Sequence, residues 1–239
     1  MKRERIRDKL LNILFPPDVS CIVCGAELKY DEEREFSVCG ACQKEFDYIG
    51  DREQKISNPR LNISDFASVF KYEGAAKKLT LSFKDGDRPY LRENIATYLY
   101  KIYKEREMDC HIICYVPSSK QKLKIRGYDP MKLVAEYMSV LCGKETKHLL
   151  ARKEQLIDQT ESTDRYQNIS GCFYYNSSYN PAGKKILLLD DVVTTGATAS
   201  ECARVLLLKG VQEVNLLTFT EAKSFEDYKH RTVQRMNNA

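Results

Sequence analysis

A chain of 239 residues, 43% of them hydrophobic, has room for one large domain or two modest ones around a real core. Its 38 basic and 34 acidic residues leave a net charge of +4, too balanced to argue for nucleic acid by itself. No apolar run approaches the roughly 20 residues that a bilayer span needs; Leu10 to Phe15 is interrupted by Asn12 and is too short for a signal-peptide core, so the expectation is a cytoplasmic protein without a membrane span.

Taken in order, the chain opens with Lys2, Arg3, Arg5 and Arg7 and places Ile6, Leu10, Ile13 and Leu14 at helical spacing before Pro16-Pro17 ends the helix. Such a helix suits docking, with a membrane-surface anchor as the alternative. Nine cysteines without a secretion signal point to reduced thiols and metal ligation. Two Cys-x-x-Cys knuckles, Cys21/Cys24 and Cys39/Cys42, are separated by 14 residues, which lets four thiolates close a tetrahedron around Zn²⁺. With four sulfurs and no open position the metal would be structural; a thioredoxin-like redox role for one knuckle is the alternative. Residues 43 to 65 are polar and mixed and read as a linker or an extension of this module. The division expected is 1–60 for the N-terminal helix, zinc module and linker, and 61–239 for a second domain.

In the second domain Ala67 to Tyr72 reads as a strand, Ala75 to Phe83 as a short helix, and Arg88 to Arg106 as a longer one with Asp87 as its cap and Pro89 near its start. Ile112 to Val116 reads as a buried strand ending in Pro117-Ser118-Ser119-Lys120, with Lys122, Lys124 and Arg126 in the same loop. Asp129-Pro130 opens a helix that Gly143 closes. Residues 152 to 170 form a long polar stretch, Cys172 to Tyr175 a strand, and residues 221 to 239 a polar tail. His111, His148 and His230 fall in no motif and read as structural; Cys110, Cys114, Cys142, Cys172 and Cys202 read as packing residues.

The chemistry concentrates in Lys184 to Ala199. Ile186 to Leu189 is too short for a helix and reads as a strand buried on both faces of a parallel sheet, capped by Asp190 and Asp191 at the carboxyl edge where open α/β folds bind ligands. Alternation along a strand would aim the two carboxylates differently. Thr194, Thr195, Gly196, Ala197 and Thr198 then lead into a helix over Ala197 to Leu208, so that free N–H groups, hydroxyls and the positive helix end converge on one anion. An acid pair suits a vicinal diol and a nearby Mg²⁺, and the loop suits a phosphate one sugar away. The implied ligand is a ribose 5-phosphate. Glu213 to Thr220 reads as one further strand, and strands alternating with helices indicate an α/β parallel sheet.

Ile186 to Ala199 resembles the phosphoribosyl pyrophosphate fingerprint of the type I phosphoribosyltransferases. That resemblance implies Mg²⁺ with phosphoribosyl pyrophosphate at Asp190, Asp191 and Thr194 to Thr198, a pyrophosphate loop at Ser118, Ser119 and Lys120, and Arg152 and Lys153 as flexible-loop cations that fold over the leaving pyrophosphate. An exposed pair on a solvated surface is the alternative for the last two. The order of features resembles the ComF family of bacterial competence proteins, in which a four-cysteine zinc module precedes a phosphoribosyltransferase-like domain. The likeness runs from Phe15-Pro16 and the cysteines through Val116-Pro117, Arg126-Gly127-Tyr128, Gln159, Arg165, Asn168, Gly171 and Phe173 to Lys209-Gly210-Val211. Asp129-Pro130 departs from the Asn-Gln common there, and Gln159 to Arg165 looks shorter than usual. The resemblance implies a part in the uptake or processing of transforming single-stranded DNA beside a helicase-like partner. Two functions of different class follow: transfer of phosphoribose to an unknown acceptor, or a non-catalytic module that senses the ligand or binds single-stranded DNA.

Overall fold

The computed structural model describes residues 20–28, 37–50, 52, 61–85, 88–154, 169–223 and 225. The expected N-terminal helix, Asn58-Pro59, the cap Asp87, the marks Gln159, Arg165 and Asn168, residues 226–239 and His230 lie outside the described residues.

The strands are β1 (Asp65–Lys71), β2 (Ile112–Tyr115), β3 (Glu145–Thr146), β4 (Leu150–Arg152), β5 (Phe173–Tyr175), β6 (Lys185–Val193) and β7 (Glu213–Glu221). The helices are α1 (Gly40–Gln43), α2 (Gly74–Asp85), α3 (Arg92–Glu105), α4 (Lys120–Arg126), α5 (Pro130–Cys142) and α6 (Ala197–Leu207). Five strands pair in parallel in the order β1-β7-β6-β2-β3, while β4 and β5 form a separate antiparallel pair. The expected α/β parallel sheet is the architecture observed, and the four cysteines gather in a cluster that packs on Ala75 at the start of α2.

The middles of the two central strands, Ile186 to Leu189 of β6 and Leu216-Leu217 of β7, are apolar because both faces are covered there. Leu187, Leu189, Leu217 and Phe219 pack with Leu79 and Phe83 of α2, Ile95 and Leu99 of α3, and Val134 and Met138 of α5. Their alternate neighbours Ile186, Leu188, Val214 and Leu216 pack with Cys202 and Leu206 of α6 and with Leu150 and Phe173 of the antiparallel pair. Cys110, Cys114, Cys172 and Cys202 are buried, as small hydrophobes are, and Cys142 is half-buried at the end of α5.

Several expectations shift. The segment read as a linker contributes a strap along the sheet edge: Ile49 N–H donates to Val69 O and Lys71 N–H to Asp47 O, each at 2.9 Å, beside β1. Phe46 lies 4.6 Å from Phe70, ring to ring, so aromatic packing fixes this stretch despite the charges of Glu45 and Asp47 around it. The basic loop after β2 is helical from Lys120 to Arg126. Ser119 accepts from the Lys122 N–H at the start, and Gly127 at φ 75° closes the end, the left-handed geometry that glycine adopts without penalty. The long helix expected from Arg88 is preceded by a 3₁₀ turn over Pro89–Leu91. Arg152, expected in a flexible loop with Lys153, is in the antiparallel pair opposite Phe173, and Lys153 directly follows it, with its N–H donating to Cys172 O at 2.8 Å. Three-residue strands carry too little periodicity to be read from sequence. No helix among the described residues is long and apolar enough to cross a membrane.

Candidate functional site

β6 outruns its neighbour. Its register with β2 ends at Tyr115 opposite Leu189, whereas on the other side β7 continues to pair it through Asp190, Val192 and Val193. The strand therefore extends past the expected Leu189, and Asp190 to Val193 have a sheet partner on one side and an open crevice on the other. The sequence expectation that the acids merely cap the strand is corrected: β7 is long enough to hold them in it.

Alternation gives the two carboxylates different partners, although both reach the same cleft. Asp191, on the Leu187/Leu189 face, meets Lys84 from the last turn of α2 with Nζ to Oδ1 at 2.8 Å. Asp190, on the Ile186/Leu188 face, takes the Asp191 N–H on its Oδ1 at 2.9 Å. Burial, and next the charge of Asp191, push the Asp190 pKa well above the usual carboxylate range, with Lys84 pulling the other way. Burial opposes the Lys84 ammonium, but the charge of Asp191, the hydrogen bond to it and the charge of Asp190 together outweigh burial, and the lysine pKa lies above its ordinary value.

Across the crevice, the segment after β2 is fixed by Asp129: Ser118 donates its backbone N–H to Oδ2 at 3.1 Å and its hydroxyl to Oδ1 at 3.2 Å. Burial raises the Asp129 pKa, against the pull of these bonds. Ser118, Ser119, Arg152, Asp190, Asp191 and Thr198 line one cleft of about 190 Å³ together with Lys84, Lys122 and Arg126. Lys120 and Lys153 are not in its lining, nor are Thr194, Thr195, Gly196 and Ala197, which form the turn behind Thr198. Arg152 places its guanidinium 5.6 Å from the centre of the Phe173 ring. Lys84 and Asp129 were not recognised from sequence. One ends an ordinary amphipathic helix and the other resembles any helix cap, so neither had a local signal.

The turn into α6 has a second cause beyond ligand approach. Gly196 caps the helix at φ 76°, and a Cβ there would come within 2.7 Å of Phe225 and 2.8 Å of Leu61. Thr195 Oγ1 accepts from the Ala197 N–H at 3.4 Å, which shapes the first turn. The N–H groups of that turn have no partners earlier in the helix, and together with the Thr198 hydroxyl they fit an anion. His111 and His148 serve structure: Nδ1 of His111 accepts the Lys185 N–H at 3.0 Å, and Nδ1 of His148 is 2.7 Å from the Tyr115 hydroxyl.

The second candidate site is the cysteine cluster. The four sulfurs of Cys21, Cys24, Cys39 and Cys42 lie within 4.8 Å of one another, so this cluster could hold a zinc ion. Each knuckle is a tight turn: Gly25 N–H donates to Cys21 O at 2.8 Å, and Cys39 caps α1. Burial disfavours the Cys21 thiolate, but N–H groups of Cys39, Cys24 and Val23 outweigh it and bring the thiol down to about 7, a value suited to ligation. The module packs on the sheet domain through Ala75, which joins Cys21 and Cys42 in one apolar cluster, and through Lys78 to Glu45 at 2.9 Å.

No family model matches the chain. Among curated proteins, the chain is similar to competence protein ComFC of Bacillus subtilis, 26% identical over 223 residues covering 90% of this chain and 89% of that protein. It is similar to competence protein ComFC of Streptococcus pneumoniae, 24% identical, covering 82% and 97% respectively. Among solved structures, glutamine phosphoribosylpyrophosphate amidotransferase from B. subtilis matches 58% of this chain and 30% of its own at 16% identity, with a TM-score of 0.41.

Proposed function

We propose, from the ComF-family assignment that these relatives support, that the chain binds phosphoribosyl pyrophosphate with Mg²⁺ in the crevice beside β6 and acts in the uptake or processing of transforming DNA. The observation that carries the reading is the overhang of β6: Asp190 and Asp191 stand in an open cleft facing Ser118 and Ser119, with Thr198 at the helix end. Two carboxylates accept the ribose hydroxyls. The Thr194 to Thr198 turn and the start of α6 take the 5-phosphate, and Ser118 and Ser119 take the pyrophosphate with Arg152, while Lys120 and Lys153 add charge from outside the cleft lining. The donor set fits Mg²⁺, which would be held beside Asp190 and Asp191 through hydroxyl and phosphate oxygens and would neutralise pyrophosphate charge. Residues 1–60 form the module whose zinc is structural, residues 61–239 form the ligand domain, and the protein works in the cytoplasm beside a helicase-like partner.

Calorimetry with phosphoribosyl pyrophosphate in Mg²⁺ tests binding. The wild-type chain should bind, and Asp190→Asn with Asp191→Asn should abolish it while the fold persists; equal binding by both would place the ligand elsewhere. Release of pyrophosphate across a panel of bases, amines and oligonucleotides separates phosphoribosyl transfer from sensing. A second reading, single-stranded DNA binding, is favoured by α4, which buries none of its residues and presents Lys120, Lys122 and Lys124.

A further inference from the structure

We propose that Lys84 is a cation handed over on binding: it holds Asp191 in the free protein and passes to the pyrophosphate end of the ligand once Mg²⁺ and the ribose claim that carboxylate. The inference rests on the phosphoribosyl reading and adds to it a residue from a third element, the last turn of α2.

Two observations, joined by the phosphoribosyl reading, carry it. The Lys84 ammonium is 2.8 Å from Asp191 Oδ1, with the side chains 25% and 13% exposed, so the pair is sheltered enough for its attraction to matter. Asp191 is one of the two carboxylates that the diol requires. Its oxygen cannot serve both the ammonium and the incoming hydroxyl and metal at full strength, so binding has to loosen the ion pair. Finally, Lys84 stands between the acids and a basic wall. With Lys122 and Arg126 it lines both the inner cleft and an adjoining groove of about 490 Å³ floored by Tyr128. Arg126 is already held by Asp85 at 2.7 Å, so its charge is committed. Lys84 is released by the very event that brings phosphate oxygens to Ser118 and Ser119. A half-buried ammonium without its carboxylate needs another anion, and the diphosphate supplies one within reach of a four-carbon stem.

The test uses the full chain, Lys84→Met, which keeps the stem, and Lys84→Arg, which keeps the charge. Each is titrated in Mg²⁺ with phosphoribosyl pyrophosphate, ribose 5-phosphate and inorganic pyrophosphate. Lys84→Met should weaken the first and third by about tenfold or more, bind ribose 5-phosphate at least as tightly as wild type, and be partly rescued by Lys84→Arg. Equal weakening of phosphoribosyl pyrophosphate and ribose 5-phosphate would reduce Lys84 to a prop for Asp191 and overturn the handover, as would unchanged binding of all three. Pyrophosphate bound by wild type and lost in Lys84→Met, with neither sugar phosphate bound, keeps the role of Lys84 and sinks the phosphoribosyl reading. Wild type that binds none of the three overturns both. Should Lys84→Met not fold, Lys84→Gln takes its place in the same titrations.

Discussion

Ser118 gives both its backbone N–H and its hydroxyl to the carboxylate of Asp129, so the start of α5 latches the segment that follows β2. The latch spans from the sheet edge to a helix that packs on α3 and β2 through Met131, Val134 and Met138. Asp129→Ala should therefore loosen the Ser118 side of the cleft, where the proposed function seats the pyrophosphate, without touching the acid pair. Affinity for phosphoribosyl pyrophosphate should fall about tenfold and stability by about 1–2 kcal/mol, the usual cost of losing buried hydrogen bonds. Calorimetry and urea unfolding measure the two losses, and a variant that binds like wild type would remove the Ser118 segment from the ligand site.

Neighbouring carboxylates should respond to amidation in opposite directions. Asp190 has a folded-state pKa raised by burial and by Asp191. Below the unfolded value, about 4, it is protonated in both states; as pH rises toward the folded value the unfolded chain sheds its proton first, and stability declines. Asp190→Asn avoids that decline, so at pH 8 it should gain about 1 kcal/mol, or roughly 2–4 °C in Tm for a chain of this size, and near pH 4 the gain should vanish. Asp191→Asn instead strands Lys84 and should lower Tm by a similar amount. Melting curves at the two pH values decide it; loss of stability in both variants at pH 8 would contradict the assignment.

Gly196→Ala should destabilise before it affects any ligand. The position is at φ 76° and a Cβ would press on Phe225 and Leu61. Left-handed strain plus overpacking amounts to about 2–4 kcal/mol. A urea midpoint within error of wild type would mean that Phe225 yields easily.

Zinc should co-purify at one equivalent, and Cys39→Ser should lose it. Protease should then cut within residues 20–45 while the sheet core, whose largest apolar cluster includes none of the cysteines of the cluster, stays protected. Full metal content in Cys39→Ser would refute the ligand set.

Single-stranded DNA should bind with a salt dependence carried by α4. Arg126 is committed to Asp85, so the test replaces only Lys120, Lys122 and Lys124 by Ala. At about 0.7 per phosphate contact on single strands, the slope of log affinity against log salt should drop by roughly 2. An unchanged slope would move the DNA surface off this helix.

The parts legible in the sequence were those with a strong local pattern: the Cys-x-x-Cys pairs, the Ile186 to Leu189 run, and Asp129-Pro130 with Gly143 around α5. The crevice was less legible because it arises from a mismatch in length between β2 and β6, which no single segment records. Lys84 reaches Asp191 across more than a hundred positions of sequence, and its own helix is periodic without it. Arg152 looked mobile because β4 is three residues long and its pairing is with residues beyond a polar stretch.

The strap formed by Asp47 to Ile49 begins a few residues after Cys42, and it alone among the described residues covers the outer edge of β1. Removing the metal would unsettle the stretch from which the strap is drawn and lay bare the Val69 carbonyl and the Lys71 N–H that it covers. A bare parallel edge beside Phe70 is a template for another chain. The metal-free protein should thus self-associate through strand addition, at a rate that climbs with protein concentration, and the cysteines would act as guardians of solubility for a sheet they do not belong to.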